Sequence, residues 1–159
     1  MSKLSRNFIA GEWSQGASTI PNINPSDTND LIGDFAQADI SQLEDAFSCA
    51  QIAQKKWAET GLEKRQAVLM SIGEEMMARS TELGELLSRE EGKPKAEGKG
   101  EVYRAGQFFT YYAAEVLRQS GDTADSVRPG IEVDVRREAM GTVAIISPWN
   151  FPTATASWK

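Results

Sequence analysis

The stretch of this chain best equipped for chemistry is Pro148-Trp149-Asn150-Phe151-Pro152. An apolar run, Val143 to Ile146, leads into it. The two prolines fix φ at their own positions and restrict the residues before them. They therefore fix where the Asn150 amide points. Such an amide can donate to an oxygen that becomes negative during a reaction, and a rigid donor of this kind lowers a barrier by about 3–4 kcal/mol. The same residues also suit an Asx turn between strand and helix, in which Asn150 only satisfies backbone groups. The pentad alone leaves both readings open.

Other reactive-looking groups carry less. The chain has one cysteine and no histidine. An internal disulfide and a Ser–His or Cys–His catalytic pair are thus excluded within it, and a zinc site is not expected. Cys49 falls at the edge of a helical apolar stripe, away from basic neighbours, and reads as a small helix residue. Gly92-Lys-Pro-Lys-Ala-Glu-Gly-Lys-Gly100 looks like a phosphate loop but fails as one. Its spacing to Gly98-Lys99 is too long and no Ser or Thr follows. Glu82, Glu85, Glu90 and Glu91 read as a solvated helix face, because no second ligand type joins them. Phe108, Phe109, Tyr111 and Tyr112 have helical spacing, which makes some of them core.

Composition narrows the class. At 159 residues the chain is long enough for a domain with a core. Its net charge of −6 argues against nucleic acid and anionic membranes as partners. No apolar run approaches a membrane span, and the first residues lack the apolar core of a signal peptide. A cytoplasmic location follows as the expectation.

Periodicity then supplies the elements that must position the pentad. Phe8-Ile9 and Glu12-Trp13 flank Ala10-Gly11 as a hairpin. A strand near Thr19-Ile20, a turn over residues 22–27 and a strand from Leu31 to Ala36 follow. A first helix begins near Asp39, with Gln42 as capping-box partner and Leu43, Ala46, Phe47, Ala50, Ala53 and Trp57 as its stripe. A second begins at Thr60 with Glu63 completing a capping box, and a restart at Ser80-Thr81 runs to Gly92. A long helix spans Ala96 to Gln119, with Val102, Ala105, Phe109, Tyr112, Ala113 and Val116 on one face. Ile131, Val133 and Val135 alternate with charged residues, as in a half-exposed antiparallel strand. Val143 to Ile146, apolar throughout, is expected to be a central parallel strand, and Pro152 to open a helix.

Five stretches, in order, resemble the aldehyde dehydrogenase superfamily. They are Phe8-Ile-Ala-Gly-Glu-Trp13, Asn24-Pro25, Glu91-Gly-Lys-Pro94, Arg136-Arg-Glu-Ala-Met-Gly141, and Ile146-Ser-Pro-Trp-Asn-Phe-Pro152 followed by Trp158-Lys159. The resemblance covers essentially the whole chain but only the N-terminal third of a family member. It implies NAD or NADP as cofactor and oxidation of an aldehyde to a carboxylate. It makes Asn150 the catalytic donor that stabilises a thiohemiacetal oxyanion, beside the backbone N–H of a nucleophilic cysteine. Ile146, Ser147, Pro148 and Trp149 would line the cofactor site, Phe151 and Trp158 the aldehyde tunnel, and Lys159 would lie near the general-base glutamate. The stretch before Gly141 would be an oligomerisation hairpin, so a homo-oligomer is implied.

The expected fold is α/β: the N-terminal part of a doubly wound dinucleotide-binding domain with an antiparallel oligomerisation hairpin. Residues 1–122 would form the hairpin and helices of the cofactor domain, 123–140 the oligomerisation hairpin, and 141–159 the first parallel strand and active-site turn. The family's nucleophilic cysteine, general-base glutamate and glycine-containing cofactor turn match nothing in this chain, so the 159 residues alone are expected to be inactive. The alternative is a catalytically inactive remnant or a subunit-binding fragment. Thr153, Thr155 and Ser157 after the turn favour a polar aldehyde. The overall look is that of the 2-oxoglutarate semialdehyde and succinate semialdehyde branch.

Overall fold

The computed structural model describes residues 4–159; the first three residues of the opening stretch and of the 1–122 unit lie outside the described residues. The chain opens with β1 (Leu4–Ser5), β2 (Asn7–Ile9) and β3 (Glu12–Ser14). β2 and β3 pair antiparallel, with Phe8 opposite Trp13 and their rings 4.9 Å apart. Ala10 and Gly11 both take positive φ, 55° and 87°, as a two-residue type I′ turn requires. β4 (Ser18–Ile23) and β5 (Leu31–Gln37) form an antiparallel pair, and β1 joins β5 in parallel. Pro21 is tolerated because β4 lies at the sheet edge.

Four long helices follow: α1 (Ile40–Ala58), α2 (Leu62–Ala78), α3 (Ser80–Glu91) and α4 (Lys95–Val116). The Asp39 carboxylate caps α1 by accepting from the Gln42 backbone N–H at 2.8 Å. The expected box is only half formed, because the Gln42 side chain donates instead to the Gln15 carbonyl at 2.7 Å. The second expected box is absent. Gly61 is the N-cap of α2, and the Thr60 hydroxyl turns back to the Lys56 carbonyl of α1. Gly92, at φ 81°, ends α3, and Pro94 caps α4.

α4 is the axis of the packing. Its buried residues are Gly98, Glu101, Val102, Ala105, Gly106 and Ala113. Glycines set its distance from two neighbours. A Cβ on Gly84 of α3 would lie 2.5 Å from the Lys99 Cα, and one on Gly106 would lie 2.7 Å from the Gly73 carbonyl oxygen of α2. These backbones approach as closely as they do only because no side chain intervenes. α1 is different: it buries no residue, and Leu43, Phe47 and Trp57 of its expected core stripe are exposed. Among the described residues it meets β2, where Asn7 Nδ2 donates to Gln42 Oε1 at 3.5 Å, and most of its apolar face stays uncovered, so periodicity identified the face but not a full partner.

Beyond α4, β6 (Asp122–Asp125) and β7 (Glu132–Val135) form the expected antiparallel hairpin, with Thr123 opposite Asp134. The chain ends in α5 (Pro152–Trp158), with Pro152 at its start. The parallel strand expected at 143–146 is not formed. These residues run without ladder partners among the described residues, and Val143, Ile145 and Ile146 are exposed. A strand of this kind needs hydrogen-bonding neighbours at its edges, and the three small sheets lie elsewhere in the chain.

The loop after β4 is tied to α3 by Asp30. Its carboxylate accepts from Arg89 Nε at 2.8 Å and Nη2 at 2.6 Å, and from Asn24 Nδ2 at 3.1 Å. The Arg89 hydrogen bonds, helped by Asn24, lower its pKa from 3.8 to about 2. A lowered carboxyl pKa stabilises the fold above the unfolded value and loses that effect as pH falls through the folded one. Stability should therefore drop between about pH 4 and pH 2, and Asp30→Asn should flatten that part of the curve in acid unfolding followed by circular dichroism. At the α3–α4 crossing, Gly84→Ala should destabilise the fold by about 1–3 kcal/mol in urea melts, because the added methyl meets backbone rather than a flexible side chain.

Candidate active-site turn

Residues 148–151 form the turn between the extended 141–147 segment and α5. Asn150 is exposed, and the group the protein grips is its backbone carbonyl, which accepts from Lys93 Nζ at 3.1 Å. Lys93 stands on the short connection between α3 and α4, where Gly92 reverses the chain direction and Pro94 starts the next helix. Its ammonium lies 2.5 Å from Glu101 Oε2, 2.9 Å from Glu91 Oε2 and 4.7 Å from the centre of the Phe151 ring.

Glu101 completes the arrangement. Its side chain is 1% exposed and that of Lys93 9%. The second carboxylate oxygen, Oε1, accepts from the backbone N–H groups of Thr153 at 2.9 Å and Ala154 at 3.1 Å. A buried carboxylate thus satisfies two amides that the first turn of α5 cannot pair internally. Burial opposes the charge on Lys93, but the Glu101 and Glu91 carboxylates outweigh it and raise its pKa above the ordinary lysine value. Loss of either member of a buried pair leaves an uncompensated charge, which costs about 3–5 kcal/mol.

The turn also borders an apolar concavity of about 470 Å³, lined by Arg104, Phe108, Phe151, Ala154, Thr155, Trp158 and Lys159. Phe108 and Trp158 are stacked at a tilt with ring centres 4.8 Å apart, and the Arg104 guanidinium lies 5.2 Å from the Phe108 ring centre. Two cationic side chains therefore border a surface that is otherwise aromatic and aliphatic.

The structure brings together Phe151 and Trp158, the two residues expected at a tunnel, and adds Arg104 and Phe108 from α4. Ile146 and Trp149 lie apart from this concavity and are 85% and 86% exposed. Ser147 is half-buried, its hydroxyl 3.5 Å from the Pro152 carbonyl, and Pro148 is exposed. Lys159 donates to the Ile146 carbonyl at 2.9 Å, so it braces the extended segment against α5. Of the small hydroxyl residues, Thr155 faces the concavity, whereas Ser157 donates to the Thr153 carbonyl within its own helix.

Sequence reasoning passed over Lys93, Glu101 and Arg104. Glu101 had a usable signal. It lies three residues after Gly98 and four before Ala105, inside the buried stripe of α4, where a charge demands a partner. Lys93 had none, since a lysine in a Gly-Lys-Pro connection reads as exposed.

The sequence and fold that carry this turn are similar to those of known proteins. The aldehyde dehydrogenase family model matches residues 13–159. The alpha-ketoglutaric semialdehyde dehydrogenase of Bacillus subtilis is 36% identical over 156 residues, covering 96% of this chain and 32% of that enzyme. The alpha-ketoglutarate semialdehyde dehydrogenase of Haloferax volcanii is 30% identical over 161 residues, covering 100% and 33%. A betaine aldehyde dehydrogenase from Staphylococcus aureus, solved in complex with NAD+, superposes with a TM-score of 0.90 at 28% identity, over 98% of this chain and 32% of that one. The chain spans about a third of the length of the relatives it matches. With the family model covering nearly every residue and the fold superposing over the same span, the chain belongs to the aldehyde dehydrogenase family.

Proposed function

We propose that this chain supplies the oxyanion donor, part of the substrate mouth and one wall of the cofactor site to an enzyme that oxidises an aldehyde to a carboxylate. The observation that carries the reading is the Asn150 turn. Its backbone is clamped by Lys93 and Glu101 while the side chain stays exposed to an incoming ligand. When the substrate carbonyl is attacked, negative charge grows on its oxygen. The Asn150 amide donates to that oxygen, and a donor placed in advance costs no reorganisation at that moment. Phe151 and Trp158 hold the body of the aldehyde.

NAD or NADP, when bound, accepts the hydride. The residues present fit one face of that site. Ile146 and Trp149 offer exposed apolar surface on an extended backbone, beside Ser147 and Pro148, against which a flat ring can pack. Residues 123–140 carry an antiparallel hairpin with Ile131, Val133 and Val135 exposed, and we assign it to contacts between identical subunits.

The substrate reading is a semialdehyde bearing a carboxylate at its far end. Arg104 and Lys159 border the same apolar concavity as Phe151 and Trp158, so a carboxylate tail there would meet positive charge. A guanidinium binds a carboxylate with two parallel hydrogen bonds. The semialdehyde dehydrogenases among its relatives point the same way.

Both parts of the reading are open to kinetics on the enzyme that carries this segment. Asn150→Ala should lower kcat by about 10²–10³-fold with a smaller change in KM, because the donor acts mainly in the transition state. An unchanged kcat would remove Asn150 from the mechanism. Arg104→Met should lower kcat/KM for 2-oxoglutarate semialdehyde by about 10–100-fold, the worth of a charged hydrogen bond, and leave an alkyl aldehyde of similar length nearly untouched. Equal losses for both aldehydes, or a parent enzyme with no preference for carboxylated substrates, would refute the carboxylate reading.

A further inference from the structure

We propose that Glu101 and Lys93 are positioning residues for the Asn150 turn, a latch that sets the height and angle at which the Asn150 amide meets the substrate. The inference rests on the reading of Asn150 as oxyanion donor and names what holds it.

The geometry is specific. One carboxylate oxygen of Glu101 takes the amides of Thr153 and Ala154, three and four residues beyond Asn150. The other takes the Lys93 ammonium, which donates also to the Asn150 carbonyl. The backbone from Asn150 to Ala154 is therefore gripped at both ends by one continuous chain of charge-assisted hydrogen bonds. Its anchor is α4, whose backbone packs against α2 and α3 at glycine contacts. The ring of Phe151, between the two grips, lies against the same ammonium. Ordinary helix capping needs only an exposed Ser or Asp at the cap position. Here Phe151 occupies that position, no side-chain cap comes from it, and the acceptor arrives from fifty residues away in a buried site. Such a long-range acceptor fixes the start of α5 relative to α4, which a local cap cannot do.

Two sets of measurements test it. The first is amide hydrogen exchange on the protein itself. In Glu101→Ala, exchange at Thr153 and Ala154 should accelerate by at least about tenfold, since nothing else in the first turn of α5 pairs these groups. Exchange at Ala105 and Ala113 of α4 should stay as in the parent. Unchanged exchange at 153 and 154 would overturn the proposal. Where the alanine variant fails to fold, Glu101→Gln gives the same readout, because it keeps one acceptor oxygen and loses the pairing with Lys93. Its exchange at 153 and 154 should be faster than in the parent, and parent-like exchange would count against the latch.

The second is a double-mutant cycle in the active enzyme. Glu101→Ala should lower kcat about tenfold or more with little change in the KM for aldehyde, as misplacement of a catalytic group by about 1 Å does. If the loss acts through Asn150, the same substitution in an Asn150→Ala background should cost no further rate. A full multiplicative loss in that background would show that Glu101 acts elsewhere and sink the proposal. Failure of the underlying reading looks different: Asn150→Ala alone would leave kcat intact, while the exchange result would still report whether Glu101 holds the turn.

Discussion

The structure depends on how closely the backbone of α4 approaches its neighbours. At Gly98 it meets α3 and at Gly106 it meets α2, in both cases nearer than any residue with a Cβ allows. Eight residues separate these points, so both crossings fall on neighbouring stripes of one helix, about two turns apart. Glu101 lies between them. A carboxylate at this depth is excluded from water, and its two oxygens meet Lys93 and the start of α5. The close crossings thus do more than fill a core of Leu87, Val102, Ala105 and Ala113. They create the dry position that gives the Glu101–Lys93 pair its strength, since the same pair in water would contribute almost nothing.

The connection between α3 and α4 carries the other half of this arrangement. Gly92 stops α3 in a left-handed conformation, and Pro94 starts α4 with a backbone already set for it. Only Lys93 stands between them. Its main chain is fixed on both sides, so its long side chain begins from a defined place and is led into the gap between Glu101, Glu91 and Phe151. The loop after β4 is drawn to the same helix by Arg89 and Asp30, and Pro25 packs where a side chain on Gly92 would collide. The small N-terminal sheet is consequently linked to the turn through α3.

Features decided within a few residues are legible in the sequence, and features that depend on distant partners are not. The hairpin at Ala10-Gly11, the cap at Asp39, the stop at Gly92, the β6–β7 pairing and Pro152 at the start of α5 are all decided within a few residues. The Thr60 cap failed locally too, because its hydroxyl had a competing carbonyl one turn back, and back-bonding of this kind is invisible to a pattern search. The apolar run at 143–146 and the stripe of α1 are surfaces that want cover. A sequence pattern states that want without stating where the cover comes from, and Leu43, Phe47, Trp57, Val143, Ile145 and Ile146 stay exposed. The site divided in the same way. Phe151 and Trp158, expected at a tunnel from the family resemblance, border one concavity in the structure. Glu101 was legible only as an anomaly, a charge on a buried stripe, and its meaning required knowing that α5 begins beside it.

A side chain that must give its hydrogen bond to a reacting oxygen cannot also spend it on holding itself in place. That requirement separates a catalytic asparagine from one that closes an Asx turn, and the two readings of the pentad differ on this point. The turn is held here through groups other than the Asn150 amide: its own carbonyl by Lys93, the amides of Thr153 and Ala154 by Glu101, the flanking ring of Phe151 by the same ammonium. An Asx turn needs no buried ion pair behind it, because the asparagine itself supplies the restraint. The cost of burying Glu101 and Lys93 becomes intelligible when the restraint has to come from elsewhere so that the amide stays available. The proposed oxyanion role and the buried pair are thus two sides of one argument, the first giving a reason for the second and the second making the first geometrically feasible.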